Sequence, residues 1–295
     1  MMKVIKNLFH VSLQENDYDA ALEFYCGKLG FEQMFELNVG QFKEMVGMGE
    51  PDKNDSLPWL TYLRIAPEEY LELFNGVINP PDFARCPVPV HENEAFQSFG
   101  LGCDNLENAI EELKSKGIEV EDGYITDPAG AKIRLVERKG HKSEKHRLFH
   151  SLAGVSIYAN DLELMGKHLK GMCFEPVEKR ENAMVFTVGE SGQYVELLQA
   201  EHPVCVCDDD LLGHFALQIY KVVDTVKAWG ENDVYCCSQP FTESEPLPVD
   251  GTAKGNFGLD RCEIIWMVCP EGNKIEVMVQ PGNSMQQEWE RKNPY

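Results

Sequence analysis

The chain has 295 residues, with 27 Lys and Arg against 49 Asp and Glu, and 43% of its residues are hydrophobic. A formal charge of −22 repels phosphate backbones and anionic lipid, which argues against a broad grip on nucleic acid or a membrane surface. No apolar run approaches the roughly 20 residues of a spanning helix, and the opening MMKVIKNLFHVSL has no small-residue cleavage site, so a cytoplasmic protein is expected.

The first element is an alternating strand. Leu8, His10, Ser12 and Gln14 are expected to face one way, and Phe9, Val11 and Leu13 the other. Asp17 is placed to N-cap a helix through AALEFYCGKLG, in which Ala21, Leu22, Phe24, Tyr25 and Leu29 form a buried stripe and Gly30 the stop. The strands WLTYLRI and EYLELF follow, joined at Pro67-Glu68-Glu69. Linkers are read at 76–95 (Pro-rich), 137–150 (basic) and 200–211 (acidic). The last module closes with EIIWMV, a turn at Pro270–Asn273, and KIEVMV; the tail SMQQEWERKNPY reads as a short helix ended by Asn293-Pro294.

The chain repeats itself. LFHVSLQENDYD (8–19) aligns without a gap on LAGVSIYANDLE (152–163), and Tyr70–Leu73 matches Tyr194–Leu197. SFGLGCDNLE (98–107) corresponds to HFALQIYKVV (214–223), and DPAGAKIRLV (127–136) to CPEGNKIEVM (269–278). Four βαβββ modules follow, at about 1–78, 95–140, 148–200 and 211–282. They group as a first repeat (1–140), a second repeat (148–282) and a tail (283–295).

Ten cysteines, Cys26, Cys86, Cys103, Cys173, Cys205, Cys207, Cys236, Cys237, Cys262 and Cys269, include no CxxC pair. They read as small apolar core residues in a reducing compartment rather than as a disulfide frame.

FHVSLQENDYDAALEFYCGKLGF resembles the opening of a glyoxalase/bleomycin-resistance module, and DPAGAKIRLVE and CPEGNKIEVMV resemble its closing hairpin. Over nearly its whole length the chain resembles a tandem member of the vicinal oxygen chelate superfamily, close in layout to single-chain glyoxalase I proteins. The resemblance implies an α+β fold in which paired modules curl mixed sheets into half-barrels. It also implies metal ligands on the first and last strands of each module. Those positions are His10, Ser98, Gly154 and His214 on the first strands, and Glu72, Arg134, Glu196 and Glu276 on the last.

Modules one and four thus each hold a His and a Glu, 62 positions apart in both cases. Both also carry a polar insertion, 40–58 and 242–262, of the kind that forms lids. Two pairings are open. If neighbours pair, His10 and Glu72 share a hollow with Ser98 and Arg134, and Arg134 could neutralise Glu72. If one pairs with four and two with three, His10, Glu72, His214 and Glu276 form one site, suited to Ni, Zn, Co, Fe or Mn. The second arrangement explains all four residues together and is preferred. Glu196 is then expected to pair with a base such as Arg134. His91, His141, His146, His150, His168 and His202 are read as solvated, and Trp59, Tyr62, Phe186 and Trp266 as aromatics able to line a cavity.

The resemblance implies a metal-dependent lyase or isomerase acting on a small carbonyl compound or its thiol adduct through an enediolate, as a lactoylglutathione lyase does. Glu276 is the implied base, with Glu72 able to share the role. Two positions depart from the glutathione-binding pattern: Gln14 stands where an Arg is usual, and Gly76 where an Asn is usual. Glutathione or another thiol as cosubstrate is therefore doubtful. Competing readings are a metal-free protein sequestering a planar ligand, in the manner of bleomycin resistance, an extradiol dioxygenase, and a thiol transferase of the fosfomycin-resistance type. Monomer and homodimer are both open.

Overall fold

The computed structural model describes residues 4–47, 50, 53–79, 84–85, 94–143, 145–204, 212–239 and 244–295. Cys86, His91, Cys205, Cys207 and parts of the 76–95 and 200–211 linkers lie outside them. In the first module, β1 (Ile5–Glu15) leads into α1 (Tyr18–Leu22), which continues as a π-helical turn over Glu23–Lys28; β2 (Glu32–Asn38), α2 (Val39–Val46), β3 (Pro58–Ala66) and β4 (Glu69–Asn75) follow. A two-stranded ribbon, β5 (Ile78–Asn79) and β6 (Ala84–Arg85), precedes the second module, built from β7 (Phe96–Cys103), α3 (Leu106–Ser115), β8 (Tyr124–Thr126) and β9 (Lys132–Glu137). The third has β10 (Ser151–Ala159), α4 (Leu162–Gly171), β11 (Glu175–Arg180), β12 (Ala183–Val188) and β13 (Gln193–Gln199). The fourth has β14 (Leu212–Ile219), α5 (Val222–Gly230), β15 (Cys236–Cys237), β16 (Asn256–Phe257), β17 (Glu263–Val268) and β18 (Lys274–Val279), and α6 (Met285–Lys292) ends the chain.

Two local expectations need correction. Module two follows its helix with two strands, not three. The 40–58 insertion is not all loop: Asn38 and Gln41 form a capping box that starts α2, and Gly47 ends it in the left-handed conformation at φ 66°. Module one has one residue more than module three between the helix cap (Asp17, Asp161) and the following Phe (Phe31, Phe174). The π-helical turn, absent from α4, lies in that interval and accommodates the insertion.

The strands form two mixed sheets. The first runs β15-β17-β18-β14-β1-β4-β3-β2, with β16 on β17, and the second β11-β12-β13-β10-β7-β9-β8. Module one therefore joins module four through antiparallel β1 and β14, and module two joins module three through β7 and β10. Neighbour pairing is ruled out, because each sheet takes one module from each half of the chain. A large apolar core including Leu8, Val11, Leu13, Phe99, Val155 and Phe215 draws on both sheets. A smaller cluster on the other face of the first sheet gathers Phe9, Leu60, Tyr62, Tyr70, Ala216 and Met278.

Strict alternation along β1 fails at its centre. Leu8 pairs with Leu217 and His10 with Ala216, two residues against one. This bulge puts Leu8 into the main core with Val11 and Leu13, and turns Phe9 to the opposite face with the smaller cluster. No helix among the described residues is long and apolar enough to cross a membrane.

Candidate metal centre

The pairing of β1 with β14 has an approximate twofold character. Ser12 pairs with His214, and His10 with Ala216; on the outer side of each strand, Ser12 pairs with Glu72 in β4 and Ala216 with Glu276 in β18. Both His-Glu pairs thereby reach one point from opposite sides. His10 Nε2 lies 3.2 Å from Glu72 Oε2 and 3.0 Å from Glu276 Oε2. His214 Nε2 lies 3.7 Å and 3.3 Å from the same two oxygens, and 3.3 Å from His10 Nε2.

Ligand atoms about 2.1 Å from a shared cation stand roughly 3.0–3.4 Å apart in octahedral or tetrahedral arrangements. The observed spacings bracket that range, and two imidazoles with two carboxylates form a donor set that divalent transition metals accept. The residues present fit the group.

Burial makes the arrangement costly without a cation. His10 is fully buried, Glu72 and Glu276 are 5% and 6% exposed, and only His214 keeps a solvent edge, its side chain 15% exposed. Burial pushes the Glu72 carboxyl up, the imidazole of His10 only partly offsetting it. Burial pushes Glu276 up too, but hydrogen bonds from His10 and His214 outweigh it and hold its carboxyl below the usual range. For His10, burial works against the charged form, yet Glu72 and Glu276 raise its pKa on balance. A proton on His10 is thus part of the charge balance that a cation would replace.

The two glutamates have different neighbours. Across the sheet, Tyr62 stands opposite Glu72 and Trp266 opposite Glu276. The Tyr62 ring is edge-on to His10 at 6.1 Å, and Trp266 is edge-on to His214 at 5.2 Å. Two of the expected cavity aromatics therefore flank the cluster. The Trp59 ring meets that of Phe42 in α2 at 4.1 Å, tilted by 35°, and packs against the smaller cluster. Phe186 does not line the site; it is buried in the main core.

Sequence reading missed Asp260, Cys262 and the cover supplied by α6. Asp260 is 4% exposed, accepts from Cys262 N at 3.0 Å and Gln286 Nε2 at 2.7 Å, and its charge helps raise the pKa of His10. Met285 and Trp289 of α6 pack on the same cluster, and Glu290 accepts from Tyr70 Oη at 2.8 Å. The amphipathic pattern of the tail indicated a helix but not its destination.

The equivalent positions of the second sheet hold no such set. Arg134 Nη1 donates to Glu196 at 3.0 Å, as expected for Glu196, and Ser156 Oγ donates to the same oxygen at 3.0 Å. A Cβ on Gly154 would fall 2.5 Å from the Tyr194 ring, so that ring occupies the space a first-strand ligand would need. Two histidines read as solvated are not. His150 is 5% exposed with Nε2 3.1 Å from Asp104, and burial lowers His168 to about 4. Each is anchored by an apolar segment: Leu148 and Phe149 precede His150, and Leu169 follows His168. Among the described residues the cysteines are free; Cys103, Cys236, Cys262 and Cys269 are buried, and Cys26, Cys173 and Cys237 half-buried.

Residues 7–144 match the model of the Glyoxalase/Bleomycin resistance protein/Dioxygenase superfamily. This segment, just under half of the chain, is similar to that superfamily. A likeness of fold to solved structures extends over both halves. Glyoxalase I from Zea mays superposes with a TM-score of 0.64 over 98% of this chain and 97% of that chain, at 16% identity. A putative dioxygenase from Bacillus subtilis subsp. subtilis str. 168 gives 0.64 over 95% and 87%, at 12% identity. At such identities the likeness is one of fold. No curated protein matches the sequence. Among the described residues, His10, Glu72, His214 and Glu276 are a group of His and acidic residues whose ligand atoms all lie within 4.8 Å of one another.

Proposed function

We propose that this protein binds one divalent cation through His10, Glu72, His214 and Glu276 and acts as a lyase or isomerase on a small carbonyl compound or its thiol adduct. The reading rests on one observation: the four donor atoms, on four strands from the two ends of the chain, all lie within 4.8 Å of one another in a largely buried cluster. A divalent cation held there would polarise two neighbouring substrate oxygens and stabilise the charge left when a C–H proton departs.

The side chains do the rest. Glu276 would take the proton from one carbon and return it to the next, in the manner of a general base that becomes an acid. Glu72 is equivalent to it across the approximate twofold and could serve the other face of the substrate. The exposed edge at His214 marks the approach, with Trp266 beside it. The apolar surround of Phe9, Leu60 and Met278 keeps bulk water from the proton in transit.

The thiol subsite departs from the glutathione-binding pattern. Gln14 replaces the expected Arg, and Asn75, one place from the expected Asn, is committed to the fold through Pro58 O at 3.0 Å. A dioxygenase reading fits less well, since that chemistry uses two imidazoles and one carboxylate with positions left open, and here a second carboxylate joins the set.

Elemental analysis of protein prepared without chelator tests the proposal, wild type beside His10→Ala and His214→Ala. One equivalent of metal in the wild type, lost in both variants, supports the shared centre. A wild type that takes up no metal under any loading would leave the sequestration reading in its place.

A further inference from the structure

A polar cavity of about 370 Å³ lies apart from the metal centre, where the two sheets meet, and its walls include Asn7, Glu69, Arg138, His141 and Ser151. Glu69 opens β4 three residues before Glu72, so it shares the face of Leu71 and Leu73 in the main core and not that of the metal ligand. It is 4% exposed. Its Oε2 accepts from Leu152 N at 2.5 Å, and its Oε1 has the half-exposed His141 ring, Nε2 at 3.5 Å. Arg138 is half-buried and donates to two main-chain carbonyls, Ala153 O at 3.3 Å and Ser191 O at 2.7 Å. Among the described residues no carboxylate pairs with it. A buried carboxylate and a guanidinium without a counter-ion thus line one cavity, and withdrawing such a charge from water is costly unless a partner meets it. Lys6, Lys139, Glu68 and Glu190 stand around them, two of each sign.

The repeat supplies an internal control. Matching Tyr70 to Tyr194 sets Glu69 against Gln193, and the closing hairpins set Arg138 against Gln280. Gln193 accepts from Leu8 N at 2.7 Å and donates to Leu8 O at 3.1 Å and Leu152 O at 2.8 Å. Gln280 accepts from Gln218 Nε2 at 3.1 Å and Gln287 Nε2 at 3.2 Å, and donates to Tyr70 Oη at 3.4 Å. Two neutral amides, tied to their neighbours, serve at the equivalent places, so neither charge is needed to join the sheets.

We propose that this cavity binds a small zwitterion of the α-amino acid class, its ammonium group on Glu69 and its carboxylate on Arg138. A ligand carrying both charges a few bonds apart meets both walls at once, through the charge-assisted hydrogen bonds that are the strong ones. A simple anion would face Glu69, and a simple cation would face Arg138, each at a cost. Asn7 Oδ1 and Ser151 Oγ, both buried and without a partner, add an acceptor and a hydroxyl to the same walls. The volume falls within the roughly 300–1,000 Å³ of small-molecule sites, which leaves room for a side chain beside the charged groups.

Thermal unfolding of the full chain at pH 7 tests this with glycine, L-alanine, L-glutamine, L-glutamate and L-lysine, against acetate and methylammonium, which carry one charge each. At about 10 mM, at least one amino acid should raise the midpoint by about 3 °C, as a dissociation constant of about 1 mM requires. Calorimetric titration should show it binding at least about tenfold more tightly than either single-charge compound. Glu69→Gln and Arg138→Gln should each weaken binding by at least about tenfold and remain folded, because each installs the residue that the other half carries. No response to any of these amino acids would overturn the proposal, as would acetate or methylammonium binding equally well, or variants that bind as the wild type does. His10→Ala should bind the amino acid unchanged, whatever the fate of the metal centre. Loss of binding in that variant would move the ligand to the metal centre and overturn the proposal too.

Discussion

Replacing His10 by Ala tests the metal centre most directly, because its imidazole alone touches both glutamates at close range, at 3.2 and 3.0 Å. With chelator present, the variant leaves two buried carboxylates with His214 alone, at 3.7 and 3.3 Å. Breaking a buried ion pair in this way costs about 3–5 kcal/mol; protonation of Glu72, already pushed up by burial, recovers part of it. For a domain pair of this size each kcal/mol moves the midpoint by roughly 2 °C, so a drop of about 4–8 °C is expected. With free metal at a hundred times the dissociation constant, the wild type should gain about 2.7 kcal/mol, a rise of about 5 °C, and the variant should gain almost nothing. Thermal unfolding by circular dichroism, with and without Ni²⁺ or Zn²⁺, reads both effects. A His10→Ala protein that still rises by 5 °C with metal would show that the cation binds elsewhere and would end the argument for the shared centre.

Further outcomes follow from the same geometry. Metal affinity, measured by competition with a chromophoric chelator, should weaken as pH falls through the raised pKa of His10, because the cation must displace the proton that Glu72 and Glu276 favour there. In metal-loaded protein, Glu276→Gln should lower kcat by at least about a hundredfold if it is the base, and a loss confined to Glu72→Gln would reverse the assignment. Arg134→Ala leaves the buried carboxylate of Glu196 without its closest cation and should cost about 1–3 kcal/mol in urea unfolding while metal content is unchanged. Asn38→Ala removes the cap of α2 and should cost about 1 kcal/mol by the same measurement.

Much of the site was legible because repeats turn single residues into a pattern. His10 and His214 are unremarkable histidines by themselves, but the matching 62-position separations to Glu72 and Glu276 distinguished modules one and four from the Ser98–Arg134 and Gly154–Glu196 modules. The strand bulge at Phe9 was not legible, since nothing in LFHVSL marks where one strand carries an extra residue against its partner. His150 and His168 were misjudged because polar residues near exposed segments look solvated until the surrounding apolar residues are placed around them.

Local order alone determined the four repeated units, their helices and hairpins, and which two units carry imidazole and carboxylate together, because side-chain periodicity and turn chemistry act over only a few residues. Tertiary structure decided the rest: that β1 lies against β14 rather than against its neighbour in the chain, that α6 folds back over the cluster, and that Glu15 at the end of β1 is buried. Those outcomes depend on which apolar faces cover one another, and that choice is made by the packing of the whole chain rather than by any segment of it.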